Sequence, residues 1–155
     1  MARQRDKIQM SEDEIRDFLE GCKSLNVATL DKQGAPHLTT LWFALSEGKF
    51  IFETYGASQK VVNLWRDARI AVLCEQGTSY EQLRGVSVKG RAQIVEEGAQ
   101  LEALMHLLTA RNHPGLSDSQ LAQITAQMIR KRVVIVVHPD KVMSWDHRKL
   151  APVTM

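Results

Sequence analysis

The sequence predicts one mainly β domain, a six-stranded antiparallel barrel with helices on its outside. Three observations carry this. Six short apolar runs with strand character are spaced by turn residues. They are interrupted once by one helical pattern and later by two, so they do not alternate as βαβ units. And 155 residues at 44% hydrophobic and 25% charged are enough for one core and typical of one domain. The domain is therefore expected to span 1–155, with the basic, polar segment MARQRDKIQM at 1–10 as a loose N-terminal arm.

The elements follow in order. Ser11 and Glu14 have capping-box spacing and open a first helix with Ile15, Phe18 and Leu19 on one face. Gly21 ends it. Lys23 to Leu30 reads as a strand, Asp31-Lys32-Gln33-Gly34 as a turn, Pro36 to Leu45 as a second strand, and Lys49 to Thr54 as a third. A helix is expected from Ser58 to Asp67, with Val61, Leu64 and Trp65 on one side. Ala68 to Glu75 is a fourth strand. Leu83 to Val95 is a fifth, and Gly85 and Gly90 mark a bulge or barrel corner in it. Leu101, Leu104, Met105 and Leu108 form the stripe of the next helix, on which His106 is expected to pack. Ser117 with Gln120 caps the following helix, whose stripe is Leu121, Ile124 and Met128. The basic triplet Arg130-Lys131-Arg132 suits that helix's negative end. Val133 to Val137 is the sixth strand. It leads through Pro139 to Trp145-Asp146-His147-Arg148-Lys149, whose tryptophan calls for docking rather than a free tail.

Several function classes fall away. A net charge of +2 does not argue for nucleic acid or a membrane. The N-terminus lacks a secretory h-region, and no apolar run approaches the ~20 residues of a span. Cys22 and Cys74 have no metal or redox spacing and read as buried free thiols of a cytoplasmic protein. The histidines at 37, 106, 113, 138 and 147 have no metal-ligand spacing, so no metal site is expected.

Chemistry concentrates in four segments. Glu53-Thr54-Tyr55-Gly56-Ala57-Ser58-Gln59-Lys60 puts hydroxyls and a lysine at a strand-to-helix turn, where helix N–H groups favour an anion such as phosphate. The plainer reading makes Ser58 an N-cap and Lys60 a solvated side chain. His37 to Trp42 alternates faces, so its polar groups can meet a ring or its Trp42 can be core. Arg84, near Tyr80, is a clamp for an anion or an edge residue in water. Trp145 with its following cations can cover a flat anionic ligand.

Taken in order, these segments and the Asn63-Leu64-Trp65-Arg66-Asp67-Ala68-Arg69 helix end resemble the pyridoxamine 5′-phosphate oxidase-like superfamily, the flavin-binding split barrels, over about Lys23 to Lys149. The resemblance implies a six-stranded split barrel forming a homodimer, with FMN at the subunit interface. It implies that His37, Leu38, Thr39, Thr40, Leu41 and Trp42 line the flavin ring, and that Glu53, Thr54, Ser58, Gln59 and Lys60 hold the phosphate. Arg84, Trp145 and either Arg148 or Lys149 would reach the site from the partner chain. Tyr55 and His147 are the candidates for proton donor, with no catalytic residue assigned.

The chain departs from the vitamin oxidases. It has His37 and Trp42 where they have arginine and lysine, lacks their Tyr-x-x-x-Arg-x-x-x-Ser in the helical region, and has Gly85 where they offer glutamine. These departures favour a reductase acting on an unidentified small substrate, with NAD(P)H as a possible electron source. A deazaflavin-dependent reductase, a non-catalytic flavin- or haem-binding or redox-sensing protein, and an interaction protein with an empty barrel are the alternatives.

Overall fold

A computed structural model describes residues 2–150 and Pro152. Both ends of the expected span 1–155 lie outside the described residues. The elements are α1 (Gln4–Lys7), α2 (Glu12–Glu20), β1 (Ser24–Leu30), β2 (Pro36–Trp42), β3 (Ala44–Ser46), β4 (Lys49–Tyr55), α3 (Gln59–Arg66), β5 (Arg69–Gln76), β6 (Arg84–Val95), α4 (Gly98–Asn112), α5 (Asp118–Met128) and β7 (Arg132–Asp146). Short 3₁₀ turns lie at Tyr80–Gln82 and His147–Lys149. The strands form one curled antiparallel sheet in the order β2-β1-β5-β6-β7-β4-β3, with helices flanking it, a split barrel.

There are seven strands rather than six, because the run expected from Pro36 to Leu45 breaks at Phe43. Phe43 is fully buried, and its carbonyl leaves the ladder to accept from Arg111 Nη1 at 2.8 Å. Arg111 Nη2 also takes the carbonyls of Leu19 (2.9 Å) and Cys22 (2.6 Å), so the end of α4 ties the end of α2 to the β2–β3 break.

The sheet has a core on each face. Phe50, Phe52, Val133, Ile135 and Val137 join Leu25, Val27, Val61, Leu64 and Val72 in the larger one. Ile51, Val134 and Val136 turn the other way, onto Leu101, Leu104, Met105 and Leu108 of α4. A strand buried on both faces carries no polar alternation, which is why residues 133–137 read as an unbroken apolar run.

Several expectations are corrected. The arm expected at 1–10 is docked at its inner end: Ile8 and Met10 are buried, Ile8 O accepts from Asp146 N at 2.7 Å, and Met10 N donates to Ser144 Oγ at 2.9 Å. Trp65 does not join Val61 and Leu64 inside but is 59% exposed. His106 is exposed rather than packed. Arg132 is not a helix-end residue but the first residue of β7, paired with Tyr55. Of the two glycines expected to mark a bulge, Gly90 does: the β6–β7 register shifts between Lys89 and Gly90, and a Cβ there would strike His138 O. Gly85 instead lies opposite Trp145, whose indole occupies the space a Cβ would need. No helix among the described residues is long and apolar enough to cross a membrane.

Candidate functional site

The turn between β4 and α3 is the chemically distinctive part of the chain. Helices α2 and α5 begin with complete capping boxes: Ser11 Oγ accepts from Glu14 N, Ser117 Oγ accepts from Gln120 N, and the acceptor side chains answer. Helix α3 differs. Its N-cap Ser58 makes no side-chain capping bond. Its Oγ accepts from Thr54 Oγ1 instead, at 3.3 Å. The first-turn N–H groups are thus left without a side-chain partner, and the positive end of the helix dipole is open. The plainer reading of Ser58 as a cap does not hold.

Lys60, in that first turn, is half-buried, and it belongs to none of the six ion pairs among the described residues. Burial lowers its pKa from the usual lysine value, and the charge of Glu53 only partly opposes this. Glu53 is committed elsewhere: both its carboxylate oxygens accept from Arg132 Nη1, at 3.1 and 3.2 Å. Arg132 Nη2 also donates to the Tyr55 hydroxyl at 2.9 Å, with its guanidinium 4.5 Å over the Tyr55 ring. Arg132 is therefore a cation of this neighbourhood that sequence reasoning missed. Only its register opposite Tyr55 reveals it, and that pairing spans 77 residues.

A polar relay ties the start of α3 to β1. Gln59 Nε2 donates to Asn63 Oδ1 (2.8 Å), and Asn63 Nδ2 donates to Thr29 Oγ1 (3.0 Å). Asn63 and Thr29 are almost fully buried, and Thr29 pairs across the sheet with His37. So α3 is fixed against β1, the strand that pairs with β2. Along β2 the half-buried side chains are His37, Thr39 and Leu41, and the exposed ones are Leu38, Thr40 and Trp42. Thr39 Oγ1 is buried with no hydrogen-bond partner. Thr40 Oγ1 donates to Asn26 Oδ1 at 2.7 Å, and Lys23 Nζ sits 3.9 Å from the centre of a Trp42 ring.

The remaining expected residues form a second group. Arg84 and Arg148 line one cleft of about 430 Å³ with Gln76, Gly77, Thr78 and Gln82, and none of the β4–α3 turn lines it. Arg84 Nη2 donates to Gln76 Oε1 at 3.1 Å, while its Nε is buried without a partner. Arg148 makes a two-pronged pair with the buried Asp146, at 2.9 and 2.8 Å. Arg148 lowers the Asp146 pKa chiefly through those hydrogen bonds. Trp145 lies over Gly85, next to Arg84. Lys149 is spent on the arm and α2, donating to Gln9 O (2.7 Å) and Glu14 Oε1 (2.8 Å). His147 packs edge-on to Tyr80, ring centres 4.6 Å apart, and its Nδ1 bonds Tyr80 O at 2.7 Å. Tyr55, the other proton-donor candidate, is bound to Arg132.

The β4–α3 turn and β2 carry residues that fit a phosphate-bearing ring compound. The open α3 terminus and the unpaired Lys60 suit an anion. The unpartnered Thr39 hydroxyl on β2 suits the polar edge of a ring. Among the described residues no three His, Cys, Asp or Glu side chains gather as metal ligands would.

Comparison with known proteins agrees with the fold. The sequence model described as pyridoxamine 5′-phosphate oxidase matches residues 11–146. The crystal structure of a conserved hypothetical protein from Mycobacterium tuberculosis shares 39% identity, covers 99% of this chain and 97% of its own, and superposes with a TM-score of 0.89. The heme storage protein HutZ from Vibrio cholerae is 14% identical over 86% of this chain and 94% of its own, TM-score 0.68. An F420 reductase is 23% identical over 82% of this chain and 94% of its own, TM-score 0.63. The last two show a shared fold alone. No curated protein matches the sequence.

Proposed function

As a member of the pyridoxamine 5′-phosphate oxidase family, this chain has that family's split barrel, and we propose that it is an FMN-binding oxidoreductase acting on a small substrate. The observation that carries the proposal is the unspent cation at an open helix end: Lys60 is half-buried without an ion pair, beside N–H groups that Ser58 leaves uncapped. Thr54 and Ser58 hydroxyls complete the phosphate cradle, Gln59 is held by Asn63, and β2 from His37 to Trp42 faces the ring. Arg132 holds Glu53 and keeps that carboxylate's charge balanced beside the phosphate. A bound flavin supplies the hydride chemistry, and the protein supplies position, charge and exclusion of water.

We further propose a homodimer. Strand register puts Leu38 with Ala28, Ala71, Lys89 and Lys141 in one cross-sheet row, and Thr40 with Asn26, Leu73, Ser87 and Met143 in the next. Leu38 is 69% exposed and Trp42, on the same face, 46%. A second copy on this face would cover them and bring its Arg84, Trp145 and Arg148 toward the first chain's Lys60. Lys149, committed to Gln9 and Glu14, would act by holding the tail in place. The free thiols fit a reducing cytoplasm.

The test is titration of the purified protein with FMN, riboflavin and the deazaflavin, followed by absorbance and fluorescence. FMN is expected to bind at least about tenfold tighter than riboflavin, in keeping with one charge-assisted contact to the phosphate. Tighter binding of the deazaflavin, the cofactor in the name of one structural neighbour, would move the assignment to a deazaflavin-dependent reductase. A haem Soret band with no flavin binding would replace the oxidoreductase reading with haem binding. NAD(P)H turnover with the loaded protein then checks catalysis.

A further inference from the structure

Arg84, like Lys60, belongs to none of the six ion pairs among the described residues. Its guanidinium is nevertheless held in place. Nη2 donates to Gln76 Oε1 at 3.1 Å. Gln76 is fixed in turn, its Nε2 donating to Gly21 O at 3.3 Å and to the Cys22 sulfur at 3.4 Å. The buried Phe18 ring lies 5.3 Å from the guanidinium carbon. Arg84 Nε is buried and has no acceptor. A buried charged N–H without an acceptor is costly and rare, and it calls for an acceptor from outside the chain.

The cleft of about 430 Å³ that Arg84 lines has no carboxylate in its wall, which is completed by Gln76, Gly77, Thr78, Gln82 and Arg148. One side is a tight loop: a Cβ at Gly77, where φ is +115°, would stand 2.6 Å from Gln82 O. His147 N donates to Leu83 O at 2.9 Å and so ties the Arg148 turn to that loop. Arg148 gives Nε and Nη2 to Asp146, the residue paired with Arg84 across β6 and β7. Two guanidiniums and one carboxylate leave a single positive charge at this spot. A monoanion balances it, whereas a phosphate dianion overshoots. The planar fork of a guanidinium also matches the two oxygens of a carboxylate.

We propose that this cleft binds a carboxylate, with Arg84 as the main anchor and Thr78 and Gln82 as flanking polar groups. The site is complete in one chain. Its use as a substrate site rests on the FMN reading above. Lys60 takes the phosphate of the cofactor, and the Arg84 cleft of the second copy takes the acid group of a small monocarboxylate substrate. The two anions thus have separate anchors, and the substrate class is an organic acid.

The test follows the Arg84 Nε–H signal in the nuclear magnetic resonance spectrum of isotope-labelled full-length protein, without added cofactor. The signal is assigned by its loss in Arg84→Lys. Acetate, benzoate, neutral benzamide and inorganic phosphate are titrated in turn. A carboxylate is expected to shift the signal saturably, and benzamide to leave it in place. No saturable shift with either carboxylate overturns the proposal, and so does phosphate binding as tightly as benzoate. Arg84→Lys keeps the charge and loses the fork. Line broadening of benzoate is expected to show binding weakened at least about tenfold. Unchanged binding overturns the role of Arg84. A last arm adds benzoate to FMN-loaded protein, where it is expected to perturb the flavin absorbance over the same concentration range. An unperturbed flavin with benzoate bound overturns the substrate role. Benzoate binding in a protein that takes up no FMN overturns the cofactor reading and, with it, the substrate role, and leaves the carboxylate site standing.

Discussion

Gly85 and Trp145 occupy one another's space across β6 and β7, so the indole position depends on the absence of a Cβ. Gly85→Ala should therefore cost about 1–3 kcal/mol, as other small-to-large changes in packed sites do. It should also alter tryptophan fluorescence in the folded state. A denaturant midpoint equal to that of the wild type would mean that the indole is free to move. Asp146 gives a pH-dependent case. Its side chain accepts from Arg148 N, Nε and Nη2, and these bonds lower its pKa. A carboxyl whose folded-state pKa lies below its unfolded value adds stability above the unfolded value, which is lost as pH falls through the folded one. Asp146→Asn should cost about 1–3 kcal/mol at pH 7. The gap to wild type should begin to close near pH 4, about the unfolded aspartate value, and close fully only in stronger acid. A gap that persists unchanged in urea titrations at low pH would show that charge is not the cause.

At the scale of elements, the three serine-led helices separate two serines that cap from one that caps nothing. Ser11→Ala and Ser117→Ala should each cost about 1 kcal/mol, because each breaks a capping box. Ser58→Ala should cost much less stability, since its side chain caps nothing, and should instead weaken FMN binding. Thermal unfolding of the three variants, with FMN titration of the third, checks this. The same contrast explains what could be read from the chain. Caps, turns and the α4 stripe are local, and Ser11, Ser117 and Leu101 to Leu108 announce them within a few residues. The strand break at Phe43 depends on Arg111, 68 residues away. The docked arm depends on Ser144 and Asp146. Trp65 was expected inside because helical spacing alone does not fix the width of a buried face. Arg132 read as a dipole partner because its true one, Glu53, becomes its neighbour only through the β4–β7 ladder.

For the whole molecule, one barrel presents half of the proposed site twice over. The β4–α3 turn and β2 lie on one part of the chain, and Arg84, Trp145 and Arg148 gather elsewhere around Gly85 and the 430 Å³ cleft. The four segments were visible in the sequence because their residue types are unusual for their places. Their division into two groups was not, because it depends on distant strand pairings such as Gly85 with Trp145. Two copies would join the groups. Wild-type protein should accordingly sediment at twice the 17.5 kDa chain mass. Leu38→Glu should shift it toward the single-chain mass and weaken FMN by at least about tenfold, the effect of losing one strong charged contact. A monomeric wild type that binds FMN fully would reject the shared site. The phosphate role of Lys60 is the centre of the account, and the paired affinities of Lys60→Ala for FMN and riboflavin test it most directly. FMN should weaken by about 10–100-fold and riboflavin by less than about threefold. Equal losses for the two ligands, or none for either, would contradict it.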